Sequence, residues 1–144
     1  MIETMKQILV ENDICVLATS ADNEPYCSLM SYIADDEGRH VYMLTQSRSR
    51  KYGNLMKNPR ASLLIDTRSR PGAGHDRIQA LTVTVTLLPC IKRDAAEHYR
   101  RCLFERLPPL QDLAEDQDAR LIGFRVEAVL LLNGPLEAHY QEWN

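Results

Sequence analysis

The sequence has no long hydrophobic run: nothing in it approaches the roughly 18 uninterrupted apolar residues that a membrane-spanning helix needs. Its opening, Met1-Ile2-Glu3-Thr4-Met5-Lys6, lacks a charged leader followed by an apolar core, so no export signal is read and a cytoplasmic protein is expected. Cysteine is sparse and dispersed. Cys15, Cys27, Cys90 and Cys102 form no C-x-x-C pair, which removes a zinc site or a dithiol redox motif and predicts reduced, mostly buried thiols. An excess of basic charge is also missing, and a net charge of −3 argues against general nucleic-acid binding. Gly72-Ala73-Gly74 is not followed by a third glycine, position 77 being Arg77, which excludes a dinucleotide fingerprint. Asp35, Asp36 and Glu37 are contiguous before Gly38 and read as a hairpin turn rather than as metal ligands. Repeats and low-complexity segments are absent.

What remains is an ordinary globular chain of 144 residues, 44% apolar and 26% charged, read as one domain over residues 1–144. Ile2, Met5, Ile8 and Leu9 recur at helical spacing and predict a short amphipathic helix ending near Asn12-Asp13. Ile14 to Ser20, Tyr26 to Ile33 and His40 to Leu44 read as three strands of an antiparallel meander, joined at Ala21–Pro25 and Asp35–Gly38. Tyr52 to Lys57 gives a helix that Pro59 stops, and Ala61 to Ile65 returns as a strand. Thr67 to Asp76 reads as a loop interrupted by Pro71, Gly72 and Gly74. From Gln79 to Leu88 the alternation is clean, with Leu81, Val83, Val85 and Leu87 on one face and Thr82, Thr84 and Thr86 on the other. Asp94 is the expected N-cap of a helix carrying Ala95, Tyr99, Cys102 and Leu103 on one face and closed by Pro108-Pro109. After a polar helix and loop, Leu121 to Leu132 is the last long strand, and a turn at Asn133-Gly134-Pro135 leads into a short tail ending at Trp143. Six strands joined mostly by turns predict a mainly β (α+β) fold, a six-stranded antiparallel barrel with flanking helices.

The most informative stretch runs from Val41 to Asp66. A strand ends in Leu44-Thr45, a turn carries Ser49-Arg50-Lys51, and Asn58-Pro59-Arg60-Ala61-Ser62-Leu63 leads into the next strand. A helix start offers unpaired N–H groups and the positive end of the helix dipole, and here a hydroxyl and two cations stand at the same end. A phosphate suits that corner. The plainer alternative, a solvated basic helix start, is disfavoured by its placement between two strands.

These residues resemble the pyridoxamine 5′-phosphate oxidase superfamily of FMN-binding split barrels, closely over about 25 residues and more loosely from Cys15 to Leu88. The resemblance implies a split barrel, an FMN cofactor and a homodimer with the flavin at the subunit interface. It assigns the phosphate and ribityl chain to Thr45, Ser49, Arg50 and Lys51 beside Leu44, whereas Gln46 and Ser47 match no functional residue. It sets Tyr26, Cys27, Ser28, Leu29 and Met30 beside the ring and brings Gln79 to the flavin from the neighbouring subunit. Trp143 either stacks on a neighbouring flavin or anchors the tail in a dimer groove. Where the oxidase that names the family has basic residues on its second strand, this chain has Cys27 and Tyr32, and the C-terminal Trp…Pro-Arg-Leu pattern is missing. Both departures argue against pyridoxamine phosphate oxidation itself. The expected function is an FMN-dependent oxidoreductase acting on a small substrate or electron partner, with no side chain compelled to be a general acid or base. The alternatives are a non-catalytic flavin- or haem-binding module, for which His75 and His139 are the candidate histidines beside the more ordinary His40 and His98, and a deazaflavin enzyme drawing on Arg68, Arg70 and Arg77.

Overall fold

In the computed structural model, which describes residues 1–68 and 78–143, the helical spacing at the start of the chain folds as α1 (Ile2–Glu11). It buries Met5, Ile8 and Leu9 and ends where Asn12 Nδ2 donates to the Ile8 carbonyl at 2.7 Å. Strands β1 (Ile14–Ala21) and β2 (Glu24–Ser31) follow as a tight hairpin. Its two connecting residues, Asp22 and Asn23, both take positive φ, the backbone twist that a two-residue hairpin demands and that these residue types tolerate.

The expected three-stranded meander does not form. The strand read as Tyr26–Ile33 breaks at Tyr32, where β2 gives way to the two-residue β3 (Ile33–Ala34), and β3 pairs with β4 (His40–Gln46). Tyr32 is fully buried, its N–H donates to the Asp13 carbonyl at 2.9 Å and its hydroxyl to the Leu9 carbonyl at 2.7 Å. These bonds pull the chain across the barrel end and hand it to a different neighbour. The turn before β4 is as expected: Gly38 has φ +69° and its N–H donates to the Asp35 carbonyl.

Helix α2 (Arg50–Lys57) and β5 (Arg60–Asp66) come next, then β6 (Gln79–Leu87), with Leu81, Val83 and Val85 fully buried as the alternation requires. The intervening loop positions Pro71, Gly72 and Gly74, with Arg70, His75 and Arg77, lie outside the described residues. Helix α3 (Arg93–Arg106) begins two residues earlier than expected, so its N-cap is Lys92 without a side-chain cap and Asp94 lies inside the first turn, facing the helix dipole. A 3-10 turn at Pro108–Leu110 and the short α4 (Gln111–Ala114) lead into β7 (Ala119–Asn133).

The tail is a strand, β8 (Glu137–Glu142), paired antiparallel with the second half of β7; with β3 it brings the described residues to eight strands where six were expected. The polar sequence Glu137-Ala138-His139-Tyr140-Gln141-Glu142 gave no apolar alternation to announce it, because it is an edge strand whose stability comes from the ladder. The sheet order is β2-β1-β5-β6-β7-β4-β3, with β8 beside β7. Its two ends, β2 and β3, are consecutive in the chain but share no ladder, and the sheet curls into a half-barrel, as in a split barrel. The split arises because β7 changes partner partway: residues 119–125 pair with β4 and residues 128–133 with β8. Glu127 bulges between them, which lets both Val126 and Val129 face the core.

Inside the barrel, Leu17, Met43, Leu63, Val83, Phe124 and Leu131 pack with the buried face of α1 and with Leu55 of α2. A second cluster lies outside it, where α3 lays Leu103 and Tyr99 over Ile33, Tyr42 and Leu44. The rings of Tyr42 and Tyr99 stack at 3.9 Å between centroids, in a place where Gly123 leaves room. The expectation of mostly buried cysteines fails: all four are free, but only Cys15 is buried, while Cys27 and Cys90 are exposed and Cys102 is intermediate. Cys27 projects from the outer side of β2, and burial pushes the Cys15 thiol up to about 12. Among the described residues no helix is long and apolar enough to cross a membrane.

Candidate functional site

The corner between β4 and α2 is built by hydroxyls. Thr45, buried at the end of β4, shares a hydrogen bond of 3.2 Å with Ser49 Oγ, which also donates to the Gln46 carbonyl at 2.8 Å. Ser49 is the N-cap of α2 and accepts from the Tyr52 N–H at 3.3 Å. One serine thus closes the turn and starts the helix, leaving the Arg50 and Lys51 N–H groups at the helix start without intrahelical partners.

The two cations differ. Arg50 Nη2 donates to Glu24 at 3.0 Å, and its guanidinium lies 4.9 Å from the Tyr26 ring centroid, which ties the helix start to the start of β2. The pair is exposed, worth about 0–1 kcal/mol, and easily exchanged for a better anion. Lys51 has no ion-pair partner among the described residues.

A second anchor escaped the sequence. Gln46 Nε2 donates to Asp116 Oδ2 at 2.6 Å, Asp118 N–H donates to the other Asp116 oxygen at 2.8 Å, and Ser47 N–H donates to the Asp118 carbonyl at 2.8 Å. Arg48 adds an exposed pair to Asp118 at 3.4 Å. The backbone N–H of Asp118 and the Gln46 amide hold the Asp116 carboxyl below the usual carboxylate range. The turn is therefore fixed by a loop seventy residues further along the chain, which no local pattern announces.

The pleat divides the expected ring-flanking segment. Tyr26, Ser28 and Met30 share the inward side of β2 with Thr19, Leu17 and Cys15 opposite, while Cys27 and Leu29 point to the outer face, where Leu29 is 76% exposed. Leu44 is buried under α3, leaving its backbone rather than its side chain available. In one chain, then, Thr45, Ser49, Arg50, Lys51 and Tyr26 come together.

Gln79 and Trp143 stand apart from them. Thr45 pairs with Arg120 and Gln79 with Asn133, at opposite ends of β7, a path on the order of 40 Å along the strand. The Gln79 amide donates to Asn133 Oδ1 at 3.2 Å, and its N–H to Thr67 Oγ1 at 2.9 Å. Trp143 donates its N–H to the bulged Glu127 carbonyl at 2.8 Å and packs on its own chain's core, beside Gly38 and α1. Of the histidines, His40 Nδ1 pairs with Asp35 at 2.8 Å and His98 lies 3.6 Å from Cys102 Sγ. His139 Nε2 is buried without a hydrogen-bond partner, 3.8 Å from Glu137.

Among solved structures, a haem binding protein from Mycobacterium smegmatis is similar to this chain with a TM-score of 0.82 at 16% identity, over 97% of this chain and 57% of that one. An FAD-binding protein from Mesorhizobium loti gives 0.72 at 19% identity over 91% and 93%, and a haem storage protein from Vibrio cholerae gives 0.63 at 20% identity over 96% and 90%. These TM-scores establish a common fold and nothing more, and the chain spans little more than half of the mycobacterial protein. Among curated protein sequences nothing matches. A family model described as pyridoxamine 5′-phosphate oxidase matches residues 1–133, almost the whole chain, and the chain belongs to that family.

Proposed function

We propose that the protein is an FMN-binding flavoprotein that works as a homodimeric oxidoreductase on a small substrate or electron partner. The observation that carries this reading is the corner at Thr45–Lys51: two hydroxyls, a helix start and a lysine with no ion-pair partner among the described residues. In this reading Lys51 and the α2 N–H groups hold the phosphate, Arg50 exchanges Glu24 for it, and Thr45 and Ser49 take the adjoining oxygens. The bound flavin supplies hydride or electron transfer, and the chain's own residues hold and orient it.

The dimer reading has separate support. On the outer face a rung of directly opposed residues, Leu29, Val16, Leu64, Thr82, Leu130 and Tyr140, crosses six strands. Leu29, Leu64 and Tyr140 are 76%, 43% and 64% exposed, and Ile14 and Leu132 beside the rung are 54% and 42% exposed. Five strand spacings make the face about 24 Å wide, and an apolar surface of that breadth favours a protein partner. Two copies meeting there would let the Gln79 end of one β7 reach the Thr45 end of the other.

The test is an absorbance spectrum of the purified protein across the near-ultraviolet and visible range, repeated with Lys51→Ala. Flavin bands in the parent and an FMN affinity about 10- to 100-fold weaker in the variant are expected, the size of a lost charged hydrogen bond. A colourless protein that ignores added FMN would reject the reading. One observation favours a second, haem-binding reading: the buried Nε2 of His139 on an edge strand, which makes no hydrogen bond. A Soret band on haem addition that disappears in His139→Ala would then replace the flavin result.

A further inference from the structure

A cleft of about 660 Å³ opens below α2, between the end of β6, the 88–91 segment, the first turns of α3 and the start of β7. None of Thr45, Ser49, Arg50 or Lys51 lines it, so it is separate from the anion corner. Its walls are apolar, with Met56 from α2, Leu87 from β6, Ile91, and Leu121 from β7. No carboxylate lines it, but two arginines do. Arg100 is half-buried and has no ion-pair partner among the described residues. Arg120 Nη1 donates to the carbonyls of Gln117 and Ala119 at 2.9 and 3.0 Å, which fixes its guanidinium beside the opening.

We infer that this cleft is a second ligand site, for an amphiphilic organic anion: an aromatic or branched apolar body carrying one carboxylate or sulfonate. The volume falls within the ordinary range for small-molecule sites, about 300–1,000 Å³. The apolar walls would bury the body, and an uncompensated guanidinium in an acid-free cleft selects an anionic head, which its planar fork binds with two parallel N–H donors. Charge complementarity excludes a cationic ligand, and the predominance of apolar wall surface disfavours a sugar. The site does not depend on flavin binding.

The probe is 8-anilinonaphthalene-1-sulfonate, followed by fluorescence on the full chain with and without saturating FMN. One dye per chain is expected, with affinity about tenfold weaker in Arg100→Ala, intermediate in Arg100→Lys, and unchanged in Arg101→Ala, whose side chain is exposed outside the cleft. Ala96→Trp, which fills the cleft from α3, should abolish binding while the far-ultraviolet circular dichroism stays native. The uncharged N-phenyl-1-naphthylamine should bind more weakly and ignore Arg100→Ala. Cys90 gives a readout without mutation: it is exposed and lines the cleft, so the dye should slow its alkylation and leave that of the exposed Cys27 unchanged. Equal dye binding by the parent and Ala96→Trp would overturn the proposal by placing the dye elsewhere, as on the bare sheet face. Indifference to Arg100→Ala would also overturn it, as would binding lost on self-association, which would mark the cleft as covered by a second copy.

Discussion

The outer surface of the barrel has two halves that start from similar residues and end differently. Over β3 and β4, Ile33, Tyr42 and Leu44 are roofed by α3, whose Leu103 is fully buried against them. Over β2, β1, β5, β6 and β8, Leu29, Ile14, Leu64 and Tyr140 face outward with nothing above them among the described residues. Both halves present leucines and a tyrosine on a pleated surface, so composition does not separate them. The difference is that a 14-residue helix lies on one half and, among the described residues, none on the other. A roofed half stabilises the single chain, whereas a bare half leaves apolar surface open to a partner.

Several measurements would break or sharpen this contrast. The largest effect on stability is expected from Leu103→Ala, which empties the roof and should cost about 2–5 kcal/mol in denaturant unfolding. Leu29→Ala on the bare half should cost less than about 0.5 kcal/mol in the dissociated chain, and equal costs would erase the distinction. Next comes the paired change Leu29→Glu with Leu64→Glu. It should leave the monomer folded and weaken self-association on the order of 100-fold by sedimentation equilibrium, because two desolvated carboxylates would face an apolar partner. Unchanged association would move the interface elsewhere.

Gly123→Ala tests the packing under the roof. A Cβ there would sit 3.0 Å from Tyr42 Cε1 and 3.2 Å from Ile91 Cδ1, so a loss of about 1–3 kcal/mol is expected as the Tyr42–Tyr99 stack shifts. The control is Gly53→Ala in α2, which meets nothing within 4 Å and should stabilise by about 0.4–1 kcal/mol.

The smallest effect concerns acid. Asp116 has a folded-state pKa lowered from 3.8, so the stability it contributes is complete above that value and is lost as pH falls through the lower, folded value. Asp116→Asn should therefore lower the thermal midpoint slightly at neutral pH and flatten its fall as pH drops below 3.8. A variant that falls as steeply as the parent would show that the carboxylate does not hold the Gln46 turn.

Much of this architecture was legible in the sequence, and what was legible was local. The α1 face, the hairpin at Asp22-Asn23, the positive φ of Gly38 and the buried row Leu81, Val83 and Val85 follow from dihedral preference and periodicity within a few residues. The Thr45–Lys51 corner could be read for the same reason, since its strand end, N-cap and cations lie within seven positions. The tertiary structure alone decided which strands pair, because Tyr32 exchanges one neighbour for another by bonds to Asp13 and Leu9 far behind it in the chain. It also decided that the polar tail is a strand, that Cys27 and Cys90 are exposed, that Asp116 fixes the turn at Gln46, and that α3 covers one half of the outer face and leaves the other bare. Short-range sterics act on neighbours in sequence, whereas pairing and coverage are settled by groups that only folding brings within reach.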